Sequence, residues 1–346
     1  MKRLLLMIWI VFGLASCQKE KISIGTNVSD TFYVDNAGAS MRVLVEGNTS
    51  SHTFVIFVAG GPGVSSYFYN TDYIKTHMAD KYACVFWDQR NAGASQGNSN
   101  GSNLTLPQMT DDLKKVIEVL KYRYGTNSSV FIMGHSFGGL LTSSFMTTGD
   151  NQTLVKGWIF ADGSDNYPLN DTLTRRFLLT EGKQQVALNI NTDKWNPIID
   201  YCKSNRGNFS LEESNQLEVY AEEAETYFNV VKEINLYDLI KEYAIKFSWP
   251  LSSILMNYLY SSNTALNESL AKTEFTSQLY KVVTPTLIMF GKYDFVCPEG
   301  LGDDVYNHIS SQDKEMVVSP ISGHDIFIQD EVFFCDQINQ FVEKYR

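Results

Sequence analysis

The fold of this chain is decided by one stretch, Val130-Phe131-Ile132-Met133-Gly134-His135-Ser136-Phe137-Gly138-Gly139. Its apolar first part is typical of a buried strand, and the residues that follow it are typical of the start of a helix. Between them, Gly-His-Ser-Phe-Gly matches the G-x-S-x-G pattern, which places a serine on a sharp strand-to-helix turn. Glycines are expected on both sides of that serine, since strand and helix pass close together there. The stretch therefore predicts a nucleophile at Ser136, with a chance match in a Gly/Ser turn as the alternative.

Further apolar runs on either side of this stretch predict a sheet. An antiparallel pair is expected at 31–34 and 40–46, and buried strands are expected at 53–59, 82–87, 130–133, 155–161, 286–291 and 315–318. Apolar residues at helical spacing lie between them, most clearly over 106–124 and 326–345. Strands that alternate with helices indicate an α/β fold, with a mostly parallel central sheet and helices on both faces.

The alternation stops between residues 165 and 281, where apolar residues recur at helical spacing: Leu217, Tyr220, Ala224, Tyr227, Phe228 and Val231. Because the strand pattern resumes afterwards, we interpret this region as a helical cap inserted into the core, rather than as a separate α domain. The predicted boundaries are 28–164 for the first part of the core, 165–281 for the cap and 282–346 for the second part of the core.

A serine hydroxyl becomes a good nucleophile only beside a base that a third group holds in place. After this type of turn the chain order is Ser, then Asp or Glu, then His. Asp294 follows the strand at 286–291, and His324 follows the strand at 315–318, so both are expected at the ligand-binding edge of the sheet. The other histidines precede the serine, form part of the turn or fall in a predicted helix: His52, His77, His135 and His308. Asp162 is the alternative acid, and Asp325 is expected to cap the last helix.

Two backbone N–H groups should stabilise the oxyanion that forms during such a reaction. One is expected from Phe137, the residue after the nucleophile. The other is expected from the loop Ala59-Gly60-Gly61-Pro62-Gly63, where glycines allow close approach to a ligand. We predict that the second donor is the N–H of Gly61.

Composition excludes some functions. The chain of 346 residues is 44% hydrophobic and 19% charged, with a formal net charge of −11, so a packed core is expected and a nucleic-acid partner is not. The spacing of the five cysteines matches no metal motif. The sequence therefore predicts neither a metal nor a cofactor.

The first residues are typical of an export signal: Lys2 and Arg3 are basic, and 4–14 form an apolar run too short to span a bilayer. The following Leu14-Ala15-Ser16-Cys17 resembles the lipobox of bacterial lipoproteins. The resemblance implies a signal peptide over 1–16, a lipid on Cys17 and a tether over 17–27. It also implies an exported protein anchored to a bilayer of the cell envelope, most simply the outer membrane. An ordinary secretory signal with an incidental cysteine is the alternative.

Four stretches, in this order, resemble the proline iminopeptidase family of α/β-hydrolases: Gly60-Gly61-Pro62-Gly63, Trp87-Asp88-Gln89-Arg90-Asn91-Ala92-Gly93-Ala94-Ser95, the turn around Ser136, and Gly291-Lys292-Tyr293-Asp294-Phe295-Val296-Cys297-Pro298. The resemblance implies an α/β-hydrolase fold with a helical cap and a serine peptidase that releases N-terminal residues from short peptides. Two departures concern the substrate, since Ala59 replaces a histidine of the family pattern and Phe137 a tryptophan. A carboxylesterase or other small-molecule acyl hydrolase is the first alternative, and a binding lipoprotein that lost its chemistry is the second.

In this family an acid from the cap holds the substrate's α-ammonium. The candidates here are Glu222, Glu223 and Glu225, with a solvated helix face as the alternative. We expect Glu223 to share a helix face with Tyr220 and Tyr227. A further expectation is an ion pair between Asp88 and Arg90 beside the site.

Overall fold

The computed structural model describes residues 22–97, 103–234 and 263–346. The predicted signal peptide, Cys17 and part of the tether lie outside the described residues, and so does the segment 235–262 of the predicted cap. In the described part of the chain, no helix has the length and apolar character needed to cross a membrane.

The described strands form a single sheet. Their bounds are β1 Val28–Asn36, β2 Ala39–Gly47, β3 Thr53–Val58, β4 Ala83–Trp87, β5 Gln96–Gly97, β6 Ser129–Ser136, β7 Gly157–Gly163, β8 Thr286–Gly291 and β9 Lys314–Ser319. The order is β1-β2-β4-β3-β6-β7-β8-β9, with β5 paired to β2. The pairs that β2 makes with β1, β4 and β5 are antiparallel, whereas the pairs from β4 to β9 are parallel. The mostly parallel sheet predicted from the sequence is confirmed.

The α-helices of the described residues are α1 Asp72–His77, α2 Leu106–Tyr124, α3 Phe137–Thr147, α4 Tyr167–Ala187, α5 Thr192–Ser204, α6 Leu211–Glu225, α7 Thr264–Leu270, α8 Gly300–His308, α9 Ile326–Gln329 and α10 Glu331–Tyr345. Strand residues alternate between two apolar clusters, one shared with α2, α3 and α8 and the other with α1, α9 and α10. Helices therefore cover both faces of the sheet, and α4 to α7 form the inserted helical segment.

The cap has an apolar cluster of its own, which includes one residue from the core. Buried residues of α4, α5 and α6 pack together around Trp195 and Leu217. Phe295, from the loop after β8, is completely buried in this cluster, 4.2 Å from Phe177 between ring centroids. The cap therefore packs against the loop that carries Asp294.

The end of the chain differs from the prediction of one helix over 326–345. Two helices occur, and Asp330 separates them, because its carboxylate accepts a hydrogen bond from the N–H of Phe333 (3.3 Å) and so starts α10. Asp325 precedes α9, but its side chain makes no capping hydrogen bond. The expectation that Asp325 caps the last helix was therefore wrong.

The predicted ion pair between Asp88 and Arg90 was also wrong. Arg90 instead pairs with Asp112 of α2, with Nε 2.5 Å from Oδ2 and Nη2 2.7 Å from Oδ1. The side chains are 1% and 0% exposed, so both charges are desolvated, and Asp112 also accepts from Asn36 Nδ2 (2.8 Å). Asp88 accepts hydrogen bonds from other groups, described below.

Removing one partner of this buried pair should destabilise the protein strongly. We expect Asp112→Ala to lower the free energy of unfolding by about 3–5 kcal/mol, because Arg90 would stay buried without its carboxylate. The matched control is Glu118→Ala on the same helix, which breaks an exposed pair with Lys115 (3.0 Å) and should cost less than about 1 kcal/mol. Urea denaturation measures both values, and equal losses would contradict the prediction.

Candidate active site

Ser136 lies at the junction of β6 and α3 with φ 56° and ψ −125°, a conformation that residues with side chains rarely adopt. The turn is possible because the residues two positions before and after Ser136, Gly134 and Gly138, lack side chains. A Cβ on Gly134 would collide with the carbonyl oxygen of Gly138, and a Cβ on Gly138 would collide with that of Val58. The sequence pattern around Ser136 therefore corresponds to a strained turn that raises its hydroxyl above the end of the sheet.

Asp294 and His324 meet at the carboxyl edge of the sheet. Asp294 is completely buried, and its Oδ2 lies 3.0 Å from His324 Nδ1, while its Oδ1 accepts the N–H of Cys297 (2.7 Å). An ionised carboxylate only accepts, so Nδ1 carries the proton and Nε2 is the basic nitrogen. Burial alone would lower the pKa of His324, but Asp294, with Asp325 and Glu225, raises it well above its usual value.

His135, which sequence reasoning set aside as part of the turn, bonds to the backbone of His324. Its Nε2 donates to the backbone carbonyl of His324 (2.8 Å), and therefore its Nδ1 accepts from the hydroxyl of Tyr69 (2.8 Å). Burial and the nearby His324 lower the pKa of His135 to about 3, which keeps the ring neutral. His135 precedes Ser136 directly, so this bond connects the Ser136 turn to the loop of His324, and the two imidazole centroids lie 4.9 Å apart.

Asp162, the alternative acid, makes different bonds. Its carboxylate accepts the backbone N–H groups of Gly291 (2.7 Å) and Ile326 (3.3 Å). Burial and the charge of Asp294 raise the pKa of Asp162 well above its usual value. Of the two candidate acids, the structure therefore brings Asp294 into hydrogen-bond contact with His324, and Asp162 joins the ends of neighbouring loops.

The two predicted oxyanion donors lie on the same cavity as Ser136, which Gly61 and Phe137 both line. Phe137 is the first residue of α3, so its N–H has no partner within the helix. The loop that carries Gly61 passes over the serine so closely that a Cβ on Gly60 would lie 2.8 Å from Ser136 Cβ. Both N–H groups therefore belong to backbone next to the serine hydroxyl.

Buried side chains after β4 hold that loop. Gln89 Nε2 donates to the carbonyl of Ala59 (2.8 Å). Asp88 accepts from Ser65 Oγ (2.6 Å) and from the N–H groups of Ser66 (3.1 Å) and Ala94 (2.8 Å). Burial raises the pKa of Asp88 to about 6 even with these donors. Asp88 and Gln89 thus fix the loop that carries Gly61.

The cavity has a volume of about 310 Å³ and lies between the core and the cap. Two carboxylates from the cap line it, Asp171 of α4 and Glu218 of α6, and its described lining residues include no Lys, Arg or His. Asp171 Oδ2 accepts from Ser214 Oγ (2.5 Å), and burial raises the pKa of Asp171 to about 6. Burial and Glu222 raise the pKa of Glu218. The cavity is therefore acidic on its cap side.

The three cap glutamates predicted as ammonium ligands occupy different places. Glu225 is buried and bonds to backbone N–H groups, Glu223 is exposed and hydrogen-bonded to Tyr227, and Glu222 is exposed but close enough to His324 for its pKa to respond to that ring. Tyr227 lies beyond the end of α6 at Glu225, so its contact with Glu223 is made outside the helix, whereas Tyr220 and Glu223 both lie within it. Sequence reasoning missed Glu218, although helical spacing places it one turn before Glu222.

No cluster of His, Cys, Asp and Glu side chains in residues 22–97, 103–234 and 263–346 has the arrangement of a metal site.

Comparison with solved structures identifies the architecture. The proline iminopeptidase of Mycobacterium smegmatis superimposes with a TM-score of 0.64 at 16% identity, over 91% of this chain and 98% of that one. An esterase from Exiguobacterium antarcticum superimposes with a TM-score of 0.57 at 18% identity, over 92% of this chain and 100% of that one. The chain has the α/β-hydrolase fold. These two α/β-hydrolases differ in named activity, so the fold alone does not distinguish a peptidase from an esterase.

Sequence comparison adds a likeness to peptidases. The family described as serine aminopeptidase, S33, matches residues 50–164, which include the Gly61 loop and the Ser136 turn. The proline iminopeptidase of Saccharolobus solfataricus is 24% identical over 303 residues, which cover 85% of this α/β-hydrolase and 86% of that protein. The proline iminopeptidases are therefore distant relatives along most of the chain.

Substitution of Ser136, Asp294 or His324 should remove nearly all hydrolysis. We expect Ser136→Ala and His324→Ala each to lower kcat by about 10⁴-fold or more, because nucleophile and base act as a unit, and Asp294→Asn to cost similarly or somewhat less. Steady-state kinetics on a chromogenic substrate measures the losses. Asp162→Asn is the comparison: if it abolishes activity while Asp294→Asn stays within a few-fold of wild type, the acid is Asp162.

Proposed function

We propose that this α/β-hydrolase is a serine aminopeptidase of the proline iminopeptidase type, which releases N-terminal residues from short peptides. One observation carries the proposal. The cavity that contains Ser136 also contains Asp171 and Glu218, without a cationic side chain among its described lining residues. Partial desolvation in the cavity raises the pKa of both carboxylates, and the α-ammonium of a peptide is a positive group that would offset this cost by pairing with them.

In this reaction Ser136 Oγ attacks the carbonyl carbon of the first peptide bond, and His324 Nε2 accepts the hydroxyl proton. Asp294 keeps the Nδ1 proton of His324 and stabilises the imidazolium. The N–H groups of Gly61 and Phe137 bind the oxyanion of the tetrahedral intermediate. His324 then gives its proton to the leaving amine, and water hydrolyses the acyl-serine by the same two steps.

The size of the cavity favours a small acyl group. A volume of about 310 Å³ lies at the lower end of the range for ligand sites, which suits one aminoacyl residue better than a long chain. The match of residues 50–164 to the serine aminopeptidase family supports the proposed aminopeptidase activity.

The second candidate is a carboxylesterase or another small-molecule acyl hydrolase. The same three residues would serve it, and the esterase from Exiguobacterium antarcticum shares the fold. A neutral ester has no positive group that two carboxylates in the cavity could bind. A requirement for a free amine on the substrate therefore distinguishes the aminopeptidase from the esterase.

Glu218→Gln should impair the cleavage of substrates with a free amine and spare the others. For an aminoacyl-p-nitroanilide, we expect kcat/KM to fall by an amount equivalent to about 1 kcal/mol, roughly fivefold, since the ammonium loses a charged partner whose side chain is open to solvent. For the N-acetylated anilide and for p-nitrophenyl acetate, the rates should equal those of wild type. The matched control is Glu212→Gln on the exposed first turn of α6. Equal cleavage of blocked and free substrates by the wild type would favour the esterase.

We also propose that the protein is a lipoprotein of the bacterial cell envelope, anchored through Cys17. The support is the sequence Leu14-Ala15-Ser16-Cys17 after a basic and apolar segment. Several acyl chains on one residue bind a bilayer stably, whereas one chain binds only marginally.

Cys17→Ser should remove the anchor, because the thiol is the group that carries the first lipid. We expect the wild-type protein to partition into detergent and the variant to stay unprocessed or without acyl chains. Mass spectrometry of the N-terminal peptide checks the modification. A mature wild-type protein that begins at another residue and carries no lipid would exclude this anchor.

A further inference from the structure

Glu225 is the last residue of α6 and belongs to the cap, yet both of its oxygens bind the core. Oε1 accepts the N–H of Phe295 (3.2 Å), and Oε2 accepts the N–H of His324 (3.1 Å). The residue is 8% exposed. One carboxylate thus joins the loop of the acid to the loop of the base, at the residue after Asp294 and at His324 itself.

The residues around the Glu225 carboxylate are packed closely against it. A Cβ on Gly323 would collide with the Glu225 carboxylate, so the residue before the base must be small. Gly323 has an N–H bond to Gln329 Oε1 (2.7 Å), and Tyr293 has an N–H bond to the carbonyl of Ser322 (2.9 Å). The two loops therefore form one hydrogen-bonded unit around Glu225.

We propose that Glu225 is a positioning residue: through its carboxylate the cap sets the backbone of His324 and the loop of Asp294 in the geometry that proton transfer requires. Glu225 and His135 then hold the same residue from opposite sides, since Glu225 accepts the N–H of His324 and His135 donates to its C=O. The ring of His324 is left to turn only about its side-chain bonds. The inference rests on the proposed serine-hydrolase function.

The charges around His324 also support the positioning role of Glu225. The acidic groups that face His324 come from several elements: Asp162 near the end of β7, Asp294 after β8, Asp325 before α9, and Glu218, Glu222 and Glu225 on α6. Burial and Asp294 raise the pKa of Glu225 well above its usual value, while the proton on His324 lowers it. Ionised Glu225 in turn raises the pKa of His324, so its removal should make the base less basic.

The test is Glu225→Gln. An amide cannot accept both N–H groups with equivalent oxygens, so one backbone donor would lose its partner. We expect kcat for p-nitrophenyl acetate to fall about 10- to 100-fold with KM changed less than about threefold, as for a small misplacement of a catalytic group. The acid limb of the pH profile should move to lower pH. Glu212→Gln should leave rate and profile unchanged.

A measurement without turnover separates this inference from the proposed function. The proton shared by His324 Nδ1 and Asp294 should give a downfield NMR resonance in wild-type protein, and Glu225→Gln should weaken or shift it. An inactive wild type with this response would overturn the proposed function only. A variant that keeps wild-type kcat, pH profile and resonance would overturn the positioning role.

A second variant covers the case in which Glu225→Gln does not fold. Gly323→Ala changes no charge but pushes a methyl group against the Glu225 carboxylate. We expect the same fall in kcat and the same change in the resonance, with an unchanged far-UV circular dichroism spectrum. Wild-type kcat and resonance in Gly323→Ala would overturn the proposal.

Discussion

The structure depends on the close approach of α3 to the sheet at Ser136. A backbone with φ 56° at a serine is unfavourable, and the surroundings must enforce it. They do so because the helix comes so near the strands that only hydrogen atoms fit at Gly134 and Gly138, and a Cβ on Gly139 would lie 2.7 Å from Gly163 Cα. The position of the hydroxyl is therefore a consequence of packing between main chains, which side chains elsewhere can stabilise but not replace.

Around that point, buried polar side chains act mainly on the backbone of loops. Asp88 and Gln89 hold the loop of Gly61, Asp162 ties the end of β8 to the start of α9, and His135 binds the carbonyl of His324. Loops carry many polar main-chain groups that water would otherwise satisfy, so each buried carboxylate or imidazole here replaces that solvent. This explains why so many ionisable residues lie near the site while the direct contact with the His324 ring is made by Asp294.

The sequence predicted the sheet well because its central strands are buried on both faces. The runs at 53–59 and 286–291 needed only composition to be recognised, and the order of Ser136, Asp294 and His324 followed from the pattern around the turn. The errors concern partners that are far apart in sequence. Arg90 bonds to Asp112 instead of the neighbouring Asp88, and Glu218 enters the cavity through the orientation of α6. Charge and spacing along the chain do not contain the tertiary orientation that decides such contacts.

Phe295 has a consequence for how this architecture can be recombined. By chemistry its loop belongs to the core, because it carries Asp294, but by packing it belongs to the cap, where the ring is fully enclosed beside Phe177 and Phe228. A cap from another hydrolase would bring a different aromatic cluster and leave this ring without its enclosure. Exchange of caps between relatives therefore has to carry the loop 292–298 along with the helices, so the transferable module is discontinuous in the chain and includes Asp294, the carboxylate that contacts His324.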